Sequence, residues 1–80
     1  MEILIFCELS TNDARAVGIF ERAMYLRGWE RVEHEHCRWR CCDCYPSIEE
    51  ARQSVRSAAV ASGVAVERLF SLNGDDECTT

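Results

Sequence analysis

Apolar and polar positions in the first stretch of the chain follow a strand period. In EILIFCEL, 2–9, Ile3, Ile5, Cys7 and Leu9 fall on one side while Leu4 and Phe6 fall on the other. Both sides are substantially apolar, the pattern of a central strand. Ser10-Thr11-Asn12-Asp13 then gathers residue types that favour the helix N-cap. From there the period changes. Ala16, Phe20, Ala23 and Arg27 lie along one stripe, with Val17, Ile19, Met24 and Leu26 beside it, so a helix is expected near 12–27. Gly28 stands where a residue of positive φ ends a helix.

The next stretch, WERVEHEHCRWRCCDCY, has no Gly, no Pro and no helical period, and is too long for one ordinary strand. It reads as a hairpin, with strands near 29–35 and 38–45 and a tight turn around His36-Cys37. A single long bent strand is the alternative, because the turn lacks Asn-Gly chemistry. Ser47-Ile48-Glu49-Glu50 is a capping box that opens a second helix over 47–62, with Ile48, Ala51, Val55, Ala58 and Ser62 as its buried stripe and Gly63 at its end. VAVERLFSL, 64–72, is the last strand, broken by Asn73-Gly74.

The order is therefore β-α-β-β-α-β. Right-handed crossovers put both helices on one face of a four-stranded antiparallel sheet, so the expected fold is α+β, a two-layer ferredoxin-like sandwich. Reading the hairpin as one strand gives three strands instead. Eighty residues leave room for one core. A single domain over 1–74 is expected, followed by a flexible acidic tail, 75–80.

Charge changes the picture of partners. The net charge is −5, and it is unevenly placed. Residues 1–28 and 29–45 each carry four acids and three arginines, 46–72 carry three of each, and the tail carries Asp75, Asp76 and Glu77 with no base. No basic footprint exists for sequence-independent nucleic-acid binding. All nine basic residues are Arg, the side chain suited to bidentate recognition. No apolar run approaches the roughly 18 residues of a membrane span. MEILIFCEL offers neither a basic n-region nor a small-residue cleavage site, so a cytoplasmic location is expected.

Six cysteines are many for this length. His34, His36, Cys37, Cys41, Cys42 and Cys44 fall close together, and Cys41-x-x-Cys44 has the half-site spacing of a zinc knuckle. That half-site needs a turn to make the sulfurs converge, whereas a strand sends positions 41 and 44 to opposite faces. A second such pair is absent from the sequence. Free thiols serving as small core hydrophobes, with no metal and no cofactor, are expected, and a Cys/His zinc-binding accessory domain is an alternative. A redox Cys-x-x-Cys sits at a helix N-terminus, and Cys44 falls three residues short of the Ser47 cap.

No Gly cluster cradles a phosphate, and no Ser/His/Asp set is evident, so catalysis is not expected. Glu8, closing the first strand, is the one suggestive carboxylate. MEILIFCEL, ERAMYLRG and WERVEHE together resemble Cas2-type and GhoS-type small ribonuclease domains: an apolar first strand ending in an acid, a helix, a Gly and a second strand. The resemblance spans nearly the whole chain at the level of architecture and implies a βαββαβ endoribonuclease or antitoxin. Glu8 stands where the Cas2 family has Asp, and that family's basic surface is missing.

In size, acidity and fold type the chain also resembles the small inhibitors of phages and mobile elements, of which anti-CRISPR proteins are the best known. That resemblance implies steric blocking of a host protein or ribonucleoprotein complex, with no direct nucleic-acid contact and no membrane. A homodimer is left open. The hairpin is dense in aromatic, Arg and acidic side chains, so the expected binding set is Glu30, Glu33, Glu35, Arg38, Arg40, Asp43 and Tyr45. Its acids would steer the protein toward a basic surface. Trp39 is expected in the core.

Overall fold

The structure, a computed structural model, describes residues 2–32 and 37–72. The elements run β1 (Glu2–Leu9), α1 (Ala14–Tyr25), β2 (Glu30–Arg31), β3 (Arg38–Cys42), α2 (Ile48–Ser62) and β4 (Val66–Ser71). The four strands pair antiparallel in the order β2-β3-β1-β4. Each helix therefore links two strands that flank a third: α1 passes from β1 to β2 over β3, and α2 from β3 to β4 over β1. The three-stranded alternative is excluded. Among the described residues β2 pairs with β3 through Glu30 and Arg31, and the Val32 amide donates to the Arg38 carbonyl at 3.0 Å; 33–35 of the expected strand lie outside them, and β3 stops at Cys42, short of the expected 45. The turn at His36 and the tail at 75–80 lie outside the described residues.

Local chemistry sets the helix ends. Asp13 caps α1 by accepting from the Ala16 amide at 3.1 Å, and Ser47 caps α2 by accepting from the Glu50 amide at 3.2 Å. Gly63 closes α2 in the left-handed conformation, φ 74°. Helix α1 ends earlier than the stripe of apolar residues suggested. Its C-cap is Leu26, and Arg27 leads on to Gly28, whose φ is 93°.

The core lies between the two helices and the side of the sheet that carries Ile3, Ile5, Cys7, Trp39 and Cys41. From α1 it takes Phe20, Ala23 and Met24, and from α2 Ala51, Val55, Ala58 and Ala59. The small residues of α2 let the helices approach closely, and Trp29 fills the end of the layer. Its indole N–H donates to Ser54 Oγ at 2.9 Å, so the one polar atom of a fully buried ring is satisfied. Trp39 sits in the core as expected, edge-on to Phe20 and Tyr25 with centroids 6.2 and 5.7 Å away.

The apolar stripe of α1 is narrower than its composition. Ile19 and Leu26 face outward, Leu26 with 79% of its surface exposed. Met24→Ala should therefore cost about 2–5 kcal/mol in urea unfolding, and Leu26→Ala should stay within about 0.5 kcal/mol of wild type. Equal losses from the two substitutions would contradict this packing.

Candidate interaction surface

Residues directly opposite each other on antiparallel strands share a face, so the register reads out the side of the sheet that the helices leave uncovered. Glu30 pairs with Arg40, and Arg40 with Leu4. Arg38 pairs with Phe6, and Phe6 with Phe70. Glu8 pairs with Arg68, and Cys42 with Glu2. These rows alternate with the buried positions of β1 and β3, and so lie on the opposite side. At their centre Phe6 and Phe70 stack, centroids 5.0 Å apart and ring planes 24° from parallel. Phe70 keeps 45% of its surface exposed.

Phe70 and Arg68 reach this face in regular register with Phe6 and Glu8, and a register shift just beyond Arg68 takes Val66 off it. Between Glu8 and Leu9 the pairing with β4 skips a residue: Glu8 faces Arg68 while Leu9 faces Val66, leaving Glu67 as the extra residue of a bulge. Val66 consequently packs against the core together with Leu69, while Arg68 and Phe70 stay on the open face. Plain alternation over VERLFS would have put Val66, Arg68 and Phe70 together.

Around the rings, Arg40 bridges Glu30 at 3.3 Å and Glu2 at 3.8 Å, and Arg68 meets Glu8 at 3.5 Å. Pairs this exposed contribute little to folding, about 0–1 kcal/mol each. They do hold the arginines beside the aromatic centre. Among the described residues of these rows, Arg38, Arg40 and Arg68 are matched in number by Glu2, Glu8 and Glu30, with no excess of positive charge.

The expected binding set divides. Glu30 and Arg40 lie on the open face as an ion pair, and exposed Arg38 lies in the row with Phe6. Asp43 is exposed just past β3 with φ 56°. Glu33 and Glu35 lie outside the described residues. Tyr45 points inward: its hydroxyl donates to the Arg27 carbonyl at 2.7 Å and its ring stacks on Trp29, centroids 5.8 Å apart. It pins the segment before α2 to the end of α1. Phe6, Phe70 and Leu4 were not in the set; the sequence signal for them is the apolar second side of β1, which acquires meaning only once β4 is known to lie beside it.

The left-handed Asp43 turns the chain at the end of β3, and the Cys44 sulfur lies 3.4 Å from the Cys42 carbonyl and 3.8 Å from the Gly28 carbonyl. Cys41 is buried and Cys44 exposed. Among the described residues no group of three or more His, Cys, Asp or Glu converges in the manner of a metal site. His34 and His36 lie outside them. At the opposite end of β1 a cleft of about 550 Å³ is lined by Cys7, Cys37, Glu8, Asn12 and Glu21 among others. Glu8 is thus shared between this cleft and its pair with Arg68. Among the described residues no helix is long and apolar enough to cross a membrane.

Comparison with known proteins gave no match to a family model, a curated protein or a solved structure.

Burial pushes the Cys7 thiol up to about 12, with nearby Cys37 adding to the effect, and raises Cys41 to about 11. Both shifts lie above the ordinary value of 9.0. The unfolded chain therefore loses these protons at lower pH than the folded one, and stability falls as pH rises through the window between. In urea unfolding the alkaline slope between pH 9.0 and about 11 should be shallower in Cys7→Ala than in wild type, whatever the variant's offset at neutral pH. An unchanged slope would show that Cys7 is not held as a buried thiol.

Proposed function

We propose that this chain is a non-catalytic protein-binding module of ferredoxin-like architecture, whose open sheet face docks on another protein. The interleaved connections, α1 over β3 and α2 over β1, support that architecture. The observation that carries the function is the exposed Phe6–Phe70 stack with Leu4 beside it, ringed by arginines already oriented by glutamates. Aromatic and Arg side chains supply most binding energy once a rim excludes water from them. The described rows of the face carry as many acids as arginines, so they offer no net positive charge to drive nucleic-acid binding by counterion release. An apolar anchor on a protein surface matches it better than a phosphate backbone does.

The finer reading is an inhibitor of the anti-CRISPR type. The chain's net charge of −5 favours approach to a basic surface, such as the nucleic-acid channel of a host protein or ribonucleoprotein complex, which the docked module would cover. The ribonuclease reading is weaker here, because the Glu8 carboxylate is engaged by Arg68 and has no basic groove around it.

The test uses nuclease-treated host lysate with tagged wild type and with Phe6→Ala and Phe70→Ala variants shown to be folded. Wild type should enrich a protein whose purified form binds it about 30-fold or more tightly than either variant, the effect of losing a hot spot of about 2 kcal/mol. Equal affinity for both variants would remove the open face from the interface. Binding of a labelled single-stranded oligonucleotide that is lost in Phe6→Ala would move the reading to nucleic acid. RNA cleavage abolished by Glu8→Gln would move it to a ribonuclease.

A further inference from the structure

The pairing of β1 with β3 runs on past Phe6 and Arg38. The Cys7 amide donates to the Cys37 carbonyl at 2.8 Å, which sets these two cysteines directly opposite each other on neighbouring chain segments. Residues so placed on antiparallel strands share a face. Cys7 belongs to the core on the helix side of the sheet, so Cys37 stands beside it on that side. A hydrogen-bonded antiparallel pair holds its Cα atoms about 5.5 Å apart, inside the range of about 4.4–6.8 Å that a disulfide spans. Both are free thiols. At the other end of β3, Cys41 faces Ile3 and Cys42 faces Glu2, so neither meets a cysteine across the strands.

The cleft at the end of β1 supplies an independent observation. Cys7 and Cys37 both line it, together with Leu9, Asn12 and Val17. Its volume of about 550 Å³ is that of a small-molecule site. Access to the two sulfurs is unlike: Cys7 is 4% exposed, whereas Cys37 is half-buried.

We propose that Cys7 and Cys37 form a reversible dithiol–disulfide couple that exchanges with low-molecular-weight disulfides at this cleft, with Cys37 as the attacking sulfur and Cys7 as the resolving one. Access sets the order. Cys37 gives up its proton, and its thiolate attacks one sulfur of a disulfide such as oxidised glutathione. The S–S bond of that molecule breaks, and its other half leaves as a thiolate that takes up a proton. Cys7 then loses its proton and attacks the Cys37 sulfur, closing the Cys7–Cys37 bond and expelling the second half, which is protonated in turn. The protein dithiol is oxidised by two electrons and the small disulfide is reduced to two thiols. The register supplies the proximity for the second step. Burial pushes the Cys7 thiol up to about 12, so that step is the slower one and the mixed disulfide on Cys37 precedes the bond. The closed bond would fasten the start of β3 to the end of β1. The couple lies on the helix side of the sheet and is independent of what the open face binds.

Purified protein equilibrated with oxidised and reduced glutathione, acid-quenched, alkylated and mapped by peptide mass spectrometry tests the proposal. Wild type should pass through a mixed disulfide on Cys37 to a Cys7–Cys37 bond that reverses on adding reduced glutathione. Cys7→Ser should stop at a stoichiometric mixed disulfide on Cys37. Cys37→Ser should take up about 10-fold less glutathione at Cys7, as its burial requires. Replacing Cys41, Cys42 or Cys44 by Ser should leave the bond intact. The wild-type map needs no substitution in the core and decides the matter even if Cys7→Ser does not fold. No Cys7–Cys37 bond at any glutathione ratio would overturn the couple, as would a mixed disulfide that stays on wild-type Cys37 or another internal bond in its place.

Discussion

Two helices cover one face of a four-stranded sheet and no more. Strands about 4.8 Å apart make a sheet about 19 Å wide, and two helices packed about 10 Å apart span the same width. Every apolar residue placed on the covered side is removed from water, and every one on the other side is left in it. The helices, Trp29 and the inward residues of β1 and β3 use up the covered side. A sheet of this size also needs its central strands, β1 and β3, to be apolar enough to hold the core. In β1 that requirement extends to both sides, and the uncovered Leu4 and Phe6 follow from it.

From this constraint comes the open face. The open face concentrates aromatic area at its middle and charge at its margins, which is the layout of a binding patch with a polar rim. The end of β3 shows the same division between inside and outside within a few residues. Cys41 lies under the helices, Cys42 lies on the open face, and the left-handed Asp43 turns the chain so that the Cys44 sulfur comes to the Gly28 carbonyl, 3.8 Å away. A β-branched residue at Asp43 would resist that conformation, and the alternation of β3 would continue outward.

Aromatic groups divide labour in a way their types alone do not reveal. Trp29, Trp39 and Tyr45 are the larger or more polar rings, and all three support the core: one through Ser54, one through edge contacts, one through the Arg27 carbonyl. The two phenylalanines that stack on each other outside have no polar atom to satisfy. Their partial exposure is the costlier arrangement in water, and it becomes favourable only when another surface covers them.

Much of this was present in the chain itself. The two helix starts follow from Asp13 and Ser47, the end of α2 from Gly63, and the inward side of β1 from its alternation, because caps and periods are local properties. Burial of Trp39 followed from the size of the ring. Other features depended on which strands became neighbours. Phe70 meets Phe6 only because β4 pairs with β1, and the bulge opposite Glu8 decides that Val66 turns in while Arg68 turns out. Tyr45, expected in the binding set, is a part-buried strut because the Arg27 carbonyl, in the turn after α1, lies within reach of its hydroxyl. The Cys44 sulfur settled against Gly28 because left-handed Asp43 turned the chain past β3, and because Gly28, distant in sequence, left space for it. Local sequence determines caps and periods through neighbours a few residues away; contacts between segments far apart in the chain are decided only when the chain packs.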